Sequence, residues 1–215
     1  MIVEKIMKKE IITLTETDTI QTALLLIQEK RIRHIPIVNH EHHLVGLISD
    51  RDIRDASPSI FRTEDFKEDM QKPLHTIMKT NIITGHPLDF VEEIGAIFCE
   101  YNISCLPIIH EKKLVGIITG TDLLQSYVEL TGVNKPGSQI EVQVPDQPGV
   151  LYDLSCIFKK RNTNIHSILV YPAKESESEK VLVLRVQTMN PFLVVEDLKK
   201  EGYKVIWPSL PGISL

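Results

Sequence analysis

Two stretches of the chain carry a hydroxyl and a carboxylate at one spacing: Gly46-Leu47-Ile48-Ser49-Asp50-Arg51-Asp52 and Gly116-Ile117-Ile118-Thr119-Gly120-Thr121-Asp122. An apolar strand pattern ends at each hydroxyl and a helix pattern begins after it, so both groups can face one cleft. Free amides at a helix start, with a Ser or Thr hydroxyl beside them, suit a phosphate. An acceptor-only carboxylate suits a pair of ribose hydroxyls. That chemistry holds a nucleotide and implies no nucleophile. The same spacing also makes a plain helix cap, with Ser49 or Thr119 at N-cap and Asp52 or Asp122 at N3. The cap is the simpler account of one isolated copy, and duplication alone would copy a cap.

The elements that position these corners are themselves duplicated. Val3-Glu4-Lys5-Ile6-Met7-Lys8 matches Leu74-His75-Thr76-Ile77-Met78-Lys79, and His34-Ile35-Pro36-Ile37-Val38 matches Cys105-Leu106-Pro107-Ile108-Ile109. One copy is too small to bury an adequate core, so the two should pack about a pseudo-twofold axis and create two related clefts. Each copy predicts an opening strand (11–14 and 82–84) and a helix starting at Asp18 or Asp89, capped with Gln21 or Glu92 three residues on. Apolar residues at 20, 23, 24 and 27, and at 91, 94, 97 and 98, mark the buried face. Two strands joined by a polar hairpin and a closing helix follow. Pro36 and Pro107 should lie near strand ends or at an edge. Residues 57–73 read as a charged surface linker.

A cluster of breakers from Thr131 to Ser138 reads as a domain boundary. Beyond it Gln139–Val144 alternates like a strand, Asp146-Gln147-Pro148-Gly149 turns, and Val150, Leu151, Leu154, Ile157 and Phe158 form a helical stripe. Strands at 164–171 and 181–187, an exposed turn from Lys174 to Lys180, a helix near 191–201 and a strand at 203–207 complete the order βαββαβ. That order predicts a ferredoxin-like sandwich and an α+β chain.

Bulk properties narrow the function. A net charge of -5 argues against a general nucleic-acid binder, which needs a basic face. No apolar stretch approaches the roughly 20 residues that cross a bilayer, and the charged start lacks the core of a signal peptide. Three cysteines, Cys99, Cys105 and Cys156, are an odd number in apolar surroundings and suit buried thiols in a reducing cytoplasm. Cys99 and Cys105 are expected to face the core, as are Met7 and Met78. His40-Glu41-His42-His43 contains zinc-ligand types, but its counterpart is His110-Glu111-Lys112-Lys113, which reads as a solvated hairpin tip; no metal site is expected. No catalytic constellation is apparent.

The duplicated unit resembles a tandem pair of cystathionine β-synthase-type (CBS) domains, through the paired Ile-Met and Gly-x-x-[Ser/Thr]-x-x-Asp elements over residues 1 to about 128. The resemblance implies an adenosine ligand (AMP, ADP, ATP or S-adenosylmethionine) and no required cofactor. It would put ribose on Asp52 and Asp122, phosphate on Ser49 and Thr119, and adenine beside Ile12, Ile32, Ile83 and Ile103. Arg51 adds a cation where the second copy has Thr121, so the first site should prefer more phosphate charge. Residues 138 to about 208 resemble an ACT domain, a regulatory fold that binds an amino acid or small metabolite. The resemblance assigns Asp146, Gln147, Pro148, Gly149, Val150 and Leu151 to its effector loop, with free amides at the helix start open to a carboxylate. A structural turn and a dimerisation sheet is the other account.

The implied organisation is CBS repeats at 1–56 and 74–130, a linker at 57–73, a hinge at 131–138 and an ACT domain at 139–215. A CBS pair followed by an ACT domain, with no room for a catalytic domain, is similar to a bacterial family of acetoin utilization. That similarity implies a regulatory role in growth on acetoin or butanediol and, in sporulating bacteria, beside the acetylation and deacetylation of acetyl-CoA synthetase. A homodimer and a client protein are expected on the same ground. The competing expectation is a ligand-free scaffold subunit.

Overall fold

Unbroken apolar runs around Pro36 and Pro107 build the same hairpin twice. In the computed structural model, which describes residues 1–56, 68–174 and 176–209, β1 (His34–Val38) pairs with β2 (Leu44–Ser49) and β3 (Cys105–His110) with β4 (Lys113–Thr119), both antiparallel. Pro36 stands opposite Leu47 and Pro107 opposite Ile117, in mid-strand rather than at a strand end. Their carbonyls accept from the amides of Leu14 (3.2 Å) and Gly85 (3.0 Å), so the missing donor faces the outer edge of each hairpin. That edge carries one parallel bridge per repeat, Leu14 to Ile37 and Gly85 to Ile108. The expected opening strands shrink to these bridges, and the side chains of Ile11, Ile12, Ile82 and Ile83 line cavities.

Helices α1 (Ile20–Lys30) and α2 (Asp50–Ala56) flank the first hairpin; α3 (Val91–Tyr101) and α4 (Gly120–Thr131) belong to the second. The expected caps are off by one. Asp18 and Asp89 do not open the helices but accept from the backbone amides of Thr15 and His86, both at 2.7 Å, closing the turn before them. Thr19 caps α1 through the Thr22 amide, and at α3 the Glu93 carboxylate accepts from the Phe90 amide. Glu92 instead meets the N-terminal amine. Buried positions 91, 94 and 98 form the α3 stripe; Cys99, one residue round the helix, is exposed rather than core-facing.

The repeat along the chain is not the unit that packs. Val3, Ile6 and Met7 join the core of the second repeat, among Val91, Ile94, Phe98 and Leu106, while Met70, Leu74, Ile77 and Met78 join that of the first. The backbone repeats the exchange. Val3 and Glu4 amides donate to Asp89 and Pro87, both at 2.9 Å, and Leu74 and His75 amides donate to Asp18 and Glu16 at 2.8 and 3.1 Å. Part of the expected linker is therefore core, since Met70 is buried; its residues 57–67 lie outside the described residues.

The exchange explains the glycines of the two corners. A Cβ at Gly46 would collide with Met78 Sδ, and one at Gly116 with Met7 Sδ. Each missing side chain is the hole that receives the methionine of the other repeat.

The chain divides into two compact units, residues 1–124 and 125–215. In the second, β5 (Ser138–Pro145), β6 (Ile165–Pro172), β7 (Glu179–Val186) and β8 (Lys204–Trp207) form an antiparallel sheet of order β6-β7-β5-β8. Alternation decides its buried face: Ile140, Val142 and Val144 on β5, with Leu182, Leu184 and Val186 on β7, meet α5 (Val150–Lys160) and α6 (Phe192–Lys200). This is the ferredoxin-like sandwich. Leu151 leaves the expected stripe and is half exposed, and Lys180 belongs to β7 rather than to the preceding turn.

Candidate functional site

The Ser49 corner sits where β2 runs into α2. The Ser49 amide and hydroxyl both donate to Asp52 Oδ2, at 2.8 and 2.5 Å, and the Asp52 amide donates back to Ser49 Oγ at 3.2 Å. That reciprocity is a capping box. At the end of β4, Thr119 amide and hydroxyl donate to Asp122 Oδ2 at the same 2.8 and 2.5 Å. The second oxygen of each carboxylate meets a lysine from the opening segment of the other repeat: Lys79 Nζ lies 3.2 Å from Asp52 Oδ1, and Lys8 Nζ 2.9 Å from Asp122 Oδ1. The backbone sets both lysines in place, Lys79 through paired bonds with Leu47 and Lys8 with Ile117.

These contacts tune the acids. Partial burial pushes the Asp52 carboxyl upward, but the Ser49 hydroxyl, its amide and the Lys79 ammonium outweigh it and hold the group below the ordinary aspartate value. At Asp122 burial is likewise outweighed, there by the Thr119 hydroxyl, Lys8 and the Thr119 amide. Both are carboxylates at neutral pH.

Two cavities open at the corners, and each draws on both repeats. Cleft A, about 620 Å³, is lined by Ile11, Ile12 and Ile32 of the first repeat and Thr119, Gly120 and Thr121 of the second, with Lys8, Arg31 and Arg33 as its cations. Cleft B, about 450 Å³, takes Ser49, Arg51 and Asp52 from the first repeat and Ile82, Ile83 and Ile103 from the second, with Lys79. All the candidate nucleotide-binding residues except Asp122 are thus distributed between these two cavities. Among the described residues lining cleft A, Asp122 is not one; it stands behind Thr119 as that side chain's hydrogen-bond acceptor.

Residues that pattern reading passed over are Lys8, Lys79, Arg31, Arg33 and His34. The repeated Lys after Ile-Met was the signal for the first two. Burial pushes His34 below the ordinary histidine value, against the pull of Asp50 and Asp52, with Arg33 and Lys79 assisting. Burial pushes the Cys105 thiol up to about 12, and the charge of Asp122 adds to it.

In the second unit a cavity of about 490 Å³ is lined by the whole Asp146–Leu151 stretch together with Val170 and Lys180. Gly149, at φ 94°, takes the left-handed turn that starts α5. Lys180 Nζ lies 2.7 Å from Asp146 Oδ1. At the first hairpin tip, His43 pairs with Glu41 at 3.2 Å. Among the described residues no three His, Cys, Asp or Glu side chains converge, and no helix is long and apolar enough to cross a membrane.

The CBS domain model matches residues 3–59 and 74–129, more than half of the chain. The chain belongs to the CBS-domain family. The ACT domain model matches residues 138–202, so in this member the CBS pair is followed by an ACT domain, and both are regulatory modules. A Vibrio cholerae protein provisionally assigned to acetoin utilization (AcuB) has a similar structure, with 30% identity and a TM-score of 0.55, over 63% of this chain and 96% of that one. The CBS pair of protein MJ0100, solved with 5'-methylthioadenosine and S-adenosyl-L-methionine, is 29% identical with a TM-score of 0.52, over 63% of this chain and 98% of that one. In sequence, a homoserine O-acetyltransferase of Methanococcus vannielii is 36% identical over 123 residues, 57% of this chain; the chain spans only 24% of that relative's length. A CBS domain-containing protein of Dictyostelium discoideum is 30% identical over 135 residues, 60% of this chain and 93% of that one.

Proposed function

We propose that the chain is a regulatory sensor of adenosine ligands (AMP, ADP, ATP or S-adenosylmethionine), bound in the two composite clefts. The observation that carries this reading is the composition of each cavity: isoleucines of one repeat face the hydroxyl–carboxylate corner of the other, with unspent cations at the rim. In cleft B the adenine lies against Ile83 and Ile103, the ribose hydroxyls take Asp52 Oδ1 from Lys79, and Arg51 receives phosphate beside Ser49. In cleft A the adenine lies against Ile12 and Ile32, Thr119 faces the ligand, and Asp122 serves ribose once Lys8 withdraws. The complex of the MJ0100 CBS pair with two adenosine compounds supports the ligand class.

The ACT cavity takes a small carboxylate metabolite such as an amino acid, received by amides at the start of α5 and by Lys180. Ligand binding favours one arrangement of the CBS pair and is passed on to a homodimer partner or client protein in the cytoplasm. Likeness to the Vibrio cholerae protein motivates a place in acetoin or butanediol catabolism, acting on the acetyl-CoA synthetase acetylation system.

A thermal-shift screen of the full chain against AMP, ADP, ATP, S-adenosylmethionine, NAD and amino acids tests this. A ligand at a hundred times its Kd adds about 2.7 kcal/mol of stability, a rise of several degrees. One observation favours the ligand-free scaffold: both oxygens of each acid are already engaged by protein donors. A flat screen would establish that reading.

A further inference from the structure

We infer that Arg33 is shared by the two clefts, so that a phosphate held in one weakens the binding of a phosphate in the other. This rests on the adenosine-ligand reading above and adds a coupling that the reading does not require. Arg33, His34 and Ser104 line both cavities. Ser104 Oγ lies 3.4 Å from His34 Nε2, so the wall between the clefts is one layer of side chains.

The other cations are each private to one cleft: Lys8 and Arg31 line only cleft A, and Lys79, Arg51 and Arg54 only cleft B. Arg33 is exposed and, among the described residues, its guanidinium has no hydrogen-bond or ion-pair partner. His34, pushed toward its neutral form by burial, adds no lasting charge to the wall. A guanidinium presents a rigid fork that engages one phosphate bidentately. Committed to one cleft, it is withdrawn from the other, whose phosphate then binds without it.

The second position of the same wall explains why this is not a symmetric device. Arg33 stands in the first repeat where the second has Ser104, so one guanidinium serves two sites. A coupling of about 10-fold lies within the range of about 5–150-fold for linked sites.

Calorimetric titration of AMP and of adenosine into the full chain tests this. Gly120→Trp plugs cleft A, where a Cβ on Gly120 meets nothing within 4 Å, and Asp50→Trp plugs cleft B at the equivalent position. For AMP, the product of the two association constants of the parent chain should fall about 10-fold below the product of the single constants of the plugged variants. With Arg33→Gln added, the two products should agree within about 2-fold, and for adenosine they should agree in both backgrounds. If the plugged variants do not fold, Arg33→Gln alone should bring the AMP ratio of first to second constants to that of adenosine. Equal products for AMP with Arg33 present, or a deficit that survives Arg33→Gln, overturns the inference while leaving the ligand reading intact. Failure of both compounds to bind the parent chain removes the ligand reading itself, and the inference with it.

Discussion

Clefts A and B are built from one duplicated plan and differ at equivalent positions along their walls. Where the first repeat has Glu10, Arg31, Arg33, His34, Asp50 and Arg51, the second has Asn81, Asn102, Ser104, Cys105, Gly120 and Thr121. What is kept twice is what folds: the glycine that receives a methionine, the hydroxyl–carboxylate cap, the lysine across the axis and the isoleucines. What differs is what a ligand would meet at the rim. Three cations and one carboxylate line A, while four cations and two carboxylates line B, so each is net positive by two. Arg51 alone would have made cleft B the more phosphate-loving; Arg31 restores the balance in A from a position that local pattern does not connect to that corner. Duplicated architecture can thus hold two sites of equal net charge and unequal shape.

The sharpest contrast is at positions 34 and 105. With its thiol pushed up to about 12, Cys105 should stay protonated at pH 8 and resist alkylation, while the exposed Cys99 reacts. Mass mapping after brief iodoacetamide treatment checks it; rapid labelling of Cys105 would show that the wall of cleft B opens. Next, Asp52→Ala and Asp122→Ala should each weaken ATP binding about 10- to 100-fold in one cleft only, by losing charged hydrogen bonds. The two losses should differ, because Asp52 lines its cleft and Asp122 does not; equal affinities of the two variants by calorimetry would erase the distinction.

Smaller effects probe the exchanged segments. Gly46→Ala and Gly116→Ala should each cost about 1–3 kcal/mol in urea unfolding by overpacking. The two losses should be close in size, since each added carbon meets a methionine thioether and also a Cβ at 3.2 Å, that of Ile37 at Gly46 and of Met7 at Gly116. Met7→Ala should restore part of the loss. Smallest are Lys8→Ala and Lys79→Ala, about 0–1 kcal/mol each, because the ammonium groups are largely solvated. Their signature is in the pH profile. A carboxyl held below its ordinary value contributes stability above that value and loses it as pH falls through the lower folded one. Removing either lysine moves its acid back upward, so acid unfolding should begin at higher pH; an unchanged profile would deny the ion pairs a role.

Much of this was legible from local pattern. The two corners, the hairpins and the βαββαβ order follow from spacings of two to four residues, which the backbone periods decide. The helix starts slipped by one because Asp18 and Asp89 bond backward to Thr15 and His86 rather than forward into the helix. Cys99 was misplaced for a similar reason, one residue being a 100° turn on α3. The exchange of opening segments was not legible at all. Met7 and Gly116 each look ordinary in their own neighbourhood, and only their pairing across the axis gives the glycine its purpose. Neither could Arg33 be read as common to two clefts, since that depends on the thickness of a wall.

The central claim is that each cavity holds an adenosine ligand between the isoleucines of one repeat and the acid corner of the other. A crystal of the full chain soaked with AMP tests it directly. The account predicts adenine against Ile83 and Ile103 or against Ile12 and Ile32, with ribose hydroxyls on Asp52 or Asp122 and the matching lysine displaced. Cavities free of AMP at saturating concentration, with the Lys79–Asp52 and Lys8–Asp122 pairs intact, would contradict it.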